Sequence, residues 1–219
     1  MTCVTYPGTY VDRNGLEALV FHNDGTTLTT TIRGIRFEGR SFDSLAPTSP
    51  AQGAQLASFT LNDGDLCGCT FALDIPMPVV VGRATTTGVL HVQLQLGQPA
   101  PNGGVDHEHL TLTLTYQDGT CASPGTSGLF ECELLALQGQ LPDDVHLQAC
   151  ITCLYSDYSP YGQGLFGTML CFRNMKAEYL RVSSKDDFWA VHGREDRQVQ
   201  ETFLCDQFKR RIAGTGYRG

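Results

Sequence analysis

The sequence predicts a mainly β, α+β protein: an antiparallel β-sandwich-like body followed by a smaller Cys- and aromatic-rich α+β portion. Three observations predict it. Before residue 140, seven or eight short segments alternate apolar and polar side chains, the period of a strand with one face on a core. Turn-forming pairs such as Asp24-Gly25 and Asp63-Gly64 separate them, as in antiparallel hairpins. After residue 145 the alternation fades, and Cys, aromatic and basic residues become dense. The expected division is 1–148, an antiparallel β domain, and 149–219, an α+β C-terminal portion. That boundary is soft, and one continuous unit fits nearly as well.

Taken in order, residues 16–21 form a strand closed by the turn His22-Asn23-Asp24-Gly25, and 26–32 continue with β-branched residues. Residues 35–37 are a short apolar-alternating piece, and 40–54, with Pro47, Pro50 and Gly53, read as a loop. Residues 56–61 alternate, Asn62 to Asp65 turn, and 66–73 form the next strand. Residues 79–81 are β-prone. In 89–96, Leu90, Val92, Leu94 and Leu96 face one way and His91, Gln93 and Gln95 the other. The Gly- and Pro-rich 97–106 loop leads to its partner, 109–116, where Leu110, Leu112 and Leu114 oppose Thr111, Thr113 and Thr115. Gln117-Asp118-Gly119 turns the chain, and 130–137 adds a further strand. Beyond it, 145–155 can be a strand and 165–172 is a short apolar segment. Residues 176–182 and 199–212 carry apolar residues near helical spacing. The Gly-rich end, 214–219, suits no regular element.

Composition sets the limits. With 219 residues, 41% hydrophobic and 17% charged, the chain is no disordered polymer and should bury about 70% of its unfolded surface. It has no apolar run long enough for a transmembrane helix, and its first residues show no secretory signal. The net charge of −8 is uneven: residues 1–149 hold 5 Lys+Arg against 15 Asp+Glu, and residues 150–219 hold 10 against 8. An acidic body repels nucleic acid and anionic membranes. It suits solubility, its ordinary meaning, or docking onto a basic protein partner.

Nine cysteines, an odd number without a secretory signal, point to a reducing cytoplasm rather than a disulfide framework. Cys67-Gly68-Cys69 places two thiols on one strand face, with Gly68 free to bend the backbone between them. Cys150-Ile151-Thr152-Cys153 has the two-residue spacer of a zinc half-site. Together Cys67, Cys69, Cys150 and Cys153 can supply the four thiolates of a structural zinc, with Cys171 and Cys205 in reserve. Buried free thiols and a redox pair are the alternatives. His107-Glu108-His109 is a feasible metal half-site, although such residues at a strand start are ordinarily exposed and idle. Nothing matches HExxH, a P-loop, GxSxG or GxGxxG at a strand-to-helix junction. Asp157 lies among hydroxyls without a histidine base, so its expected role is turn-making. Tyr155, Tyr158 and Tyr161 can form a recognition surface. Lys209-Arg210-Arg211 and Arg218 can bind an anion, or offset a helix dipole.

CITCLYSDYSPYGQGLFGTMLCFRN, residues 150–174, and VQETFLCDQFKRRIAGTGYRG, residues 199–219, resemble a small family of bacterial proteins of unknown function. The resemblance implies a bacterial cytosolic origin and carries over no catalytic residue. The functional expectation is a non-enzymatic, acidic interaction module that binds another protein, in the manner of immunity proteins that neutralise a toxin. The alternative is a metal- or thiol-dependent enzyme built on the Cys cluster. Four cysteine ligands would close a zinc site to substrate, and no motif supplies a general base, so binding is preferred.

Overall fold

The computed structural model describes residues 3–48, 53–101, 103–117, 119–159 and 164–217. Its body is one antiparallel sheet in the order β11-β10-β9-β8-β1-β2-β3-β4-β5. The strands are β1 (Val4–Asp12), β2 (Gly15–Asn23), β3 (Leu28–Ile32), β4 (Ile35–Gly39), β5 (Ala46–Pro47), β8 (Cys69–Val81), β9 (Ala84–Leu96), β10 (Glu108–Tyr116) and β11 (Gly119–Ala122). A small hairpin of β6 (Thr60–Asn62) and β7 (Asp65–Cys67) stands beside it. The mainly β, antiparallel expectation holds.

Alternation positions the core. Phe71, Leu73, Ile75, Met77 and Val79 of β8 are buried, as are the leucines of β9 and β10, because every second side chain points to one face. Leu94 pairs with Leu110 and Val92 with Leu112, so a one-residue slip would turn all of them to water. β8 and β9 pair over all 13 residues from Cys69↔Leu96 to Val81↔Ala84, closed by Gly82 at φ +60°, the first position of a II′ turn. Tyr10 packs on Phe71 and Phe59 with ring centroids 5.6 and 6.3 Å apart.

Four local expectations are corrected. Residues 56–61 are no strand: α1 (Gly53–Leu56) ends there, and β6 starts at Thr60. The expected strand 66–73 is two, broken at Gly68, whose φ is +61°. This left-handed conformation suits glycine alone at low cost, and a Cβ there would meet Gln98 Nε2 at 2.8 Å. The expected strand 130–137 is a helix, α2 (Phe130–Gln140). Phe130, Leu134 and Leu137 recur at helical spacing, are fully buried and face β10 and β11. Glu131 and Glu133 sit in its first turn, where the dipole favours carboxylates. Glu133 also accepts from the backbone N–H groups of Gly125 and Ser127 and from the Ser127 hydroxyl at 2.6–2.8 Å; these donors hold its pKa at about 2 against the cost of burial.

The fourth correction is the expected helix at 199–212. No regular element covers Gln200 to Phe208. The segment instead lies along residues 150–151, where Cys150 N donates to Phe203 O at 2.7 Å and Ile151 N to Glu201 O at 3.0 Å. Before it come β12 (Val145–Leu147), which joins the free side of β8 at 79–81, and a 3₁₀ turn at Cys150–Thr152. A second sheet follows, in the order β13 (Ser156–Tyr158), β14 (Met169–Cys171), β15 (Arg197–Val199). Between β14 and β15, α3 (Lys176–Tyr179) and α4 (Lys185–Val191) bury Phe172, Tyr179 and Phe188 in a small core of their own. Ser184 caps α4 by accepting from Asp187 N, a start signal of the Ser-x-x-Asp kind. No helix among the described residues is long and apolar enough to cross a membrane.

Candidate functional site

β1 follows β8 only from Gly8↔Leu73 to Val11↔Thr70, and β12 takes up β8 again at Val79. Residues 74–78 of β8 therefore have β9 on one side and no strand on the other. The sequence explains the gap. Pro7, Pro76 and Pro78 have no N–H to donate, so the ladder cannot run through. A groove of about 530 Å³ opens there. Its floor is apolar, with Val4, Tyr6, Pro76 and Pro78, and Phe203, Leu204, Cys205 and Asp206 form a wall. Tyr6 is buried and accepts from Asn23 Nδ2, and burial raises its pKa.

Arg173 and Arg197 also line the groove. Both are held by Asp196: Arg173 Nε is 2.8 Å and Arg197 Nε 3.7 Å from its carboxylate. The Arg197 guanidinium lies 4.7 Å from the Phe203 ring centre, a cation–π contact that stiffens the wall. With Asp206 added, the two cations and two anions balance.

Behind this wall four thiols gather. Cys171 of β14 pairs with Ser156 of β13 on one side and Arg197 of β15 on the other. The Ser156 hydroxyl donates to the carbonyls of Cys150 and Cys153. Cys153, Cys171 and Cys205 lie close enough to Cys150 that their charges add to burial in raising its pKa, while Arg197 opposes them. Burial likewise raises Cys171, countered by Arg197 and by the backbone N–H of Arg173 donating to its sulfur. Tyr155 N donates to Cys153 Sγ at 3.5 Å. Cys150, Cys153 and Cys171 are buried, and Cys205 is half-exposed at the groove.

The expected quartet of Cys67, Cys69, Cys150 and Cys153 is not brought together. Cys69 opens β8, whereas Cys150 follows the strand that pairs with its far end. Nine residues of β8 separate Cys69 from Pro78, or about 30 Å at 3.3 Å per residue. Gln148 N bonds Pro78 O, so Cys150 stays near that far end. A tetrahedral zinc needs sulfurs within about 4 Å of one another, which β8 forbids. The surroundings differ too. Burial raises Cys69, and Cys67 and Asp12 add to it; no cation stands among these causes. Among the described residues, no group of three or more His, Cys, Asp or Glu side chains is placed to hold a metal ion. That includes His107 and His109, both exposed, with His107 Nδ1 against Asp106 at 2.8 Å.

The remaining candidates become structural. Asp157 is fully buried in β13 and accepts from the Tyr179 hydroxyl at 2.7 Å, so it makes no turn. Tyr158 is buried too, which removes it from any recognition surface, and Tyr161 lies outside the described residues. Lys209-Arg210-Arg211 ends no helix. Leu154 N donates to Lys209 O and Arg211 N to Thr152 O, while the Arg211 side chain donates to Ser156 O. Arg218 lies outside the described residues.

Residues 4–156, the sheet with its helix and the first thiols, match the sequence profile of a family of unknown function, DUF6304. The chain belongs to that family. The match lies on the body, not on the last 70 residues where the sequence resemblance was placed, and the two share only 150–156. No curated protein and no solved structure matches the chain. The family region contains the groove floor and Cys150 and Cys153. Arg173, Arg197, Cys171 and Cys205 come from the segment beyond it. Arg173 and Arg197 stand in no motif of the sequence. Their only sequence signal is the basic shift after residue 150.

Proposed function

We propose that the protein is a non-enzymatic interaction module, and that the groove beside Pro76 and Pro78 receives a protein partner. The observation that carries this reading is the groove itself: an apolar floor from β1 and β8, and a wall whose two arginines are already matched by carboxylates. Such a site selects apolar side chains with a polar fringe, as docking surfaces do. Pro76 and Pro78 take two of the N–H groups from the open side of β8, so the partner is held mainly by side chains rather than by strand addition. The acidic body steers a basic partner toward it, as an immunity protein would meet a basic toxin. None of the nine cysteines is in a disulfide, which suits a cytoplasmic setting. The enzyme reading leans on Cys205 at the groove wall. Against it, burial drives the neighbouring Cys150 and Cys171 thiols up, away from the thiolate a nucleophile needs.

The test starts from cross-linked capture of the partner and moves to titration calorimetry with both proteins purified. Val4→Glu, at a position already 40% exposed, and Leu204→Glu should each weaken binding at least ~10-fold, about 1.4 kcal/mol. Affinity should also fall as salt is raised. Unchanged affinity in both variants would remove the groove as the docking surface.

A further inference from the structure

We infer that the protein pairs with a second copy of itself, face to face, through the outer side of the sheet from β10 to β2. The inference rests on a different surface from the groove and stands independently of the docking role.

The alternation that sends the core residues inward sends the others to a second face. The register aligns these outward residues from strand to strand: Thr111, Gln93, Ala72, Thr9 and Ala18 form one unbroken row across β10, β9, β8, β1 and β2. Along these strands the outward residues are exposed or half-exposed. On β9 and β10 they are chiefly Thr, Gln and His. On β1 and β2 they turn apolar. Val11 opposes Leu16 and Pro7 opposes Val20, and Leu16 is 71%, Val20 42% and Val11 38% exposed. Apolar side chains left in water on two paired strands form one patch, and such a patch marks an interaction surface.

Charge separates this face from the rest of the molecule. A sheet face that only meets water is ordinarily polar, and a chain of net charge −8 has carboxylates to place there. Yet the outward residues of β10, β9, β8, β1 and β2 include no Lys or Arg and one carboxylate, Asp74. His91 Nδ1 holds that carboxylate at 2.7 Å. Charge returns on β4, beyond the patch, as the Arg36–Glu38 pair at 3.4 Å. A centre depleted of charge with a charged rim is the make-up of a protein interface.

Size, charge and chemistry make the occupant a second copy. Five strands about 4.8 Å apart, taken with four outward residues about 6.7 Å apart on each, cover about 24 by 27 Å, or about 650 Å². A stable pair needs roughly 600–1,000 Å² from each partner. Two acidic chains repel over most of their surfaces and meet most readily where charge is absent, whereas a basic partner is drawn to the carboxylates elsewhere. Hydroxyl and amide groups both donate and accept, so this face complements its own kind, as an isologous contact requires. A twofold axis lying between the two sheets and across the strands sets each strand against its counterpart. Apolar then meets apolar and Thr and Gln meet Thr and Gln, with the sheets stacked about 10 Å apart.

The test is sedimentation equilibrium of the reduced full-length chain over a range of concentrations. At ~100 μM the wild type should be mainly dimer, since contacts of standard size reach micromolar affinity or better. Ala18→Glu and Val20→Glu, both at exposed positions, should each weaken the dimer at least ~10-fold. Their circular dichroism should stay that of the wild type, because the added charge is buried without a partner only in the dimer. Val4→Glu, in the groove, should leave the dimer unchanged. Raised salt should tighten it by screening the repulsion between acidic copies, the opposite of its effect on docking. Dilution of the wild type should shift NMR signals chiefly of β1, β2 and β8 to β10, a readout that needs no variant. A wild type that stays monomeric at ~100 μM overturns the inference. So does a dimer that both glutamate variants leave intact, one that Val4→Glu dissociates, or dilution shifts centred on other elements.

Discussion

Glu201 is fully buried, with its carboxylate accepting from Gly167 N at 2.7 Å and Thr168 N at 3.3 Å. Desolvation outweighs these bonds, and the nearby Glu131 adds to it, so the pKa rises from 4.5 to about 7. The folded protein thus keeps a proton that the unfolded chain gives up at lower pH. Stability from this group is fully present below pH 4.5, falls as pH rises through 7, and is flat above. A shift of about 2.5 units corresponds to about 3 kcal/mol in all, with about 2.5 kcal/mol of it lost between pH 5 and pH 8. Glu201→Gln keeps the shape and removes the titration. At pH 5 the variant should be less stable by about 1 kcal/mol, because the amide NH₂ meets a backbone donor where an oxygen accepted. At pH 8 it should be the more stable chain. The assay is urea unfolding of both proteins across pH 5 to 8 with reductant present, read as the difference between them so that other acids cancel. A difference that does not change with pH would refute the reasoning, since a Glu201 that ionises normally leaves nothing for glutamine to relieve.

Two further perturbations test the frame around the site. Asp12 takes a two-pronged contact from Arg33, both bonds at 2.7 Å, plus the Tyr10 hydroxyl, and its pKa is lowered from 3.8 to about 2. Its contribution of about 2 kcal/mol is present above pH 4 and lost as pH falls toward 2, so Asp12→Asn should lower the urea midpoint at pH 7 and flatten the acid side of the stability curve. Gly167 has φ +79°, and a Cβ there would meet the Arg40 carbonyl oxygen at 2.5 Å. Gly167→Ala should cost about 2 kcal/mol or more by strain and displacement, measured as a lower thermal midpoint.

The sheet was legible where one physical signal acted alone. The Leu/Gln and Leu/Thr alternation of residues 89–96 and 109–116 specifies a face, and the observed pairing of Leu94 with Leu110 follows from it. Residues 130–137 misled because Phe130, Cys132, Leu134 and Ala136 alternate as well as recur; the helix wins because its formers, Glu, Leu, Ala and Gln, bury one stripe against β10. β8 ran unseen through Pro76 and Pro78, since a proline argues against a central strand. The structure accommodates both because β9 needs nothing from their nitrogen side. In the site, the Cys150 and Cys153 pair was visible by its spacer, while its neighbours Cys171 and Cys205 stood only in reserve behind Cys67 and Cys69. Cys171 reaches it through strand pairing and Cys205 through a backbone bond at Phe203, contacts that leave no trace in local spacing. Residues 199–212 had helical apolar spacing, yet their N–H groups and carbonyls were claimed by residues 150–154.

The 13-residue pairing of β8 with β9 has a consequence in time. Its ends are joined by a two-residue turn, so zipping it costs almost no loop closure, and isolated hairpins form in about 1–10 μs. β1 must instead close a loop of some sixty residues to reach β8, and the cost of closure delays such distant pairings. Assembly is therefore expected to spread outward from β8 and β9, with β1 and β12 arriving later on the same side of β8. The two late strands meet their template at opposite ends, and the prolines between them keep either from advancing into the other's place.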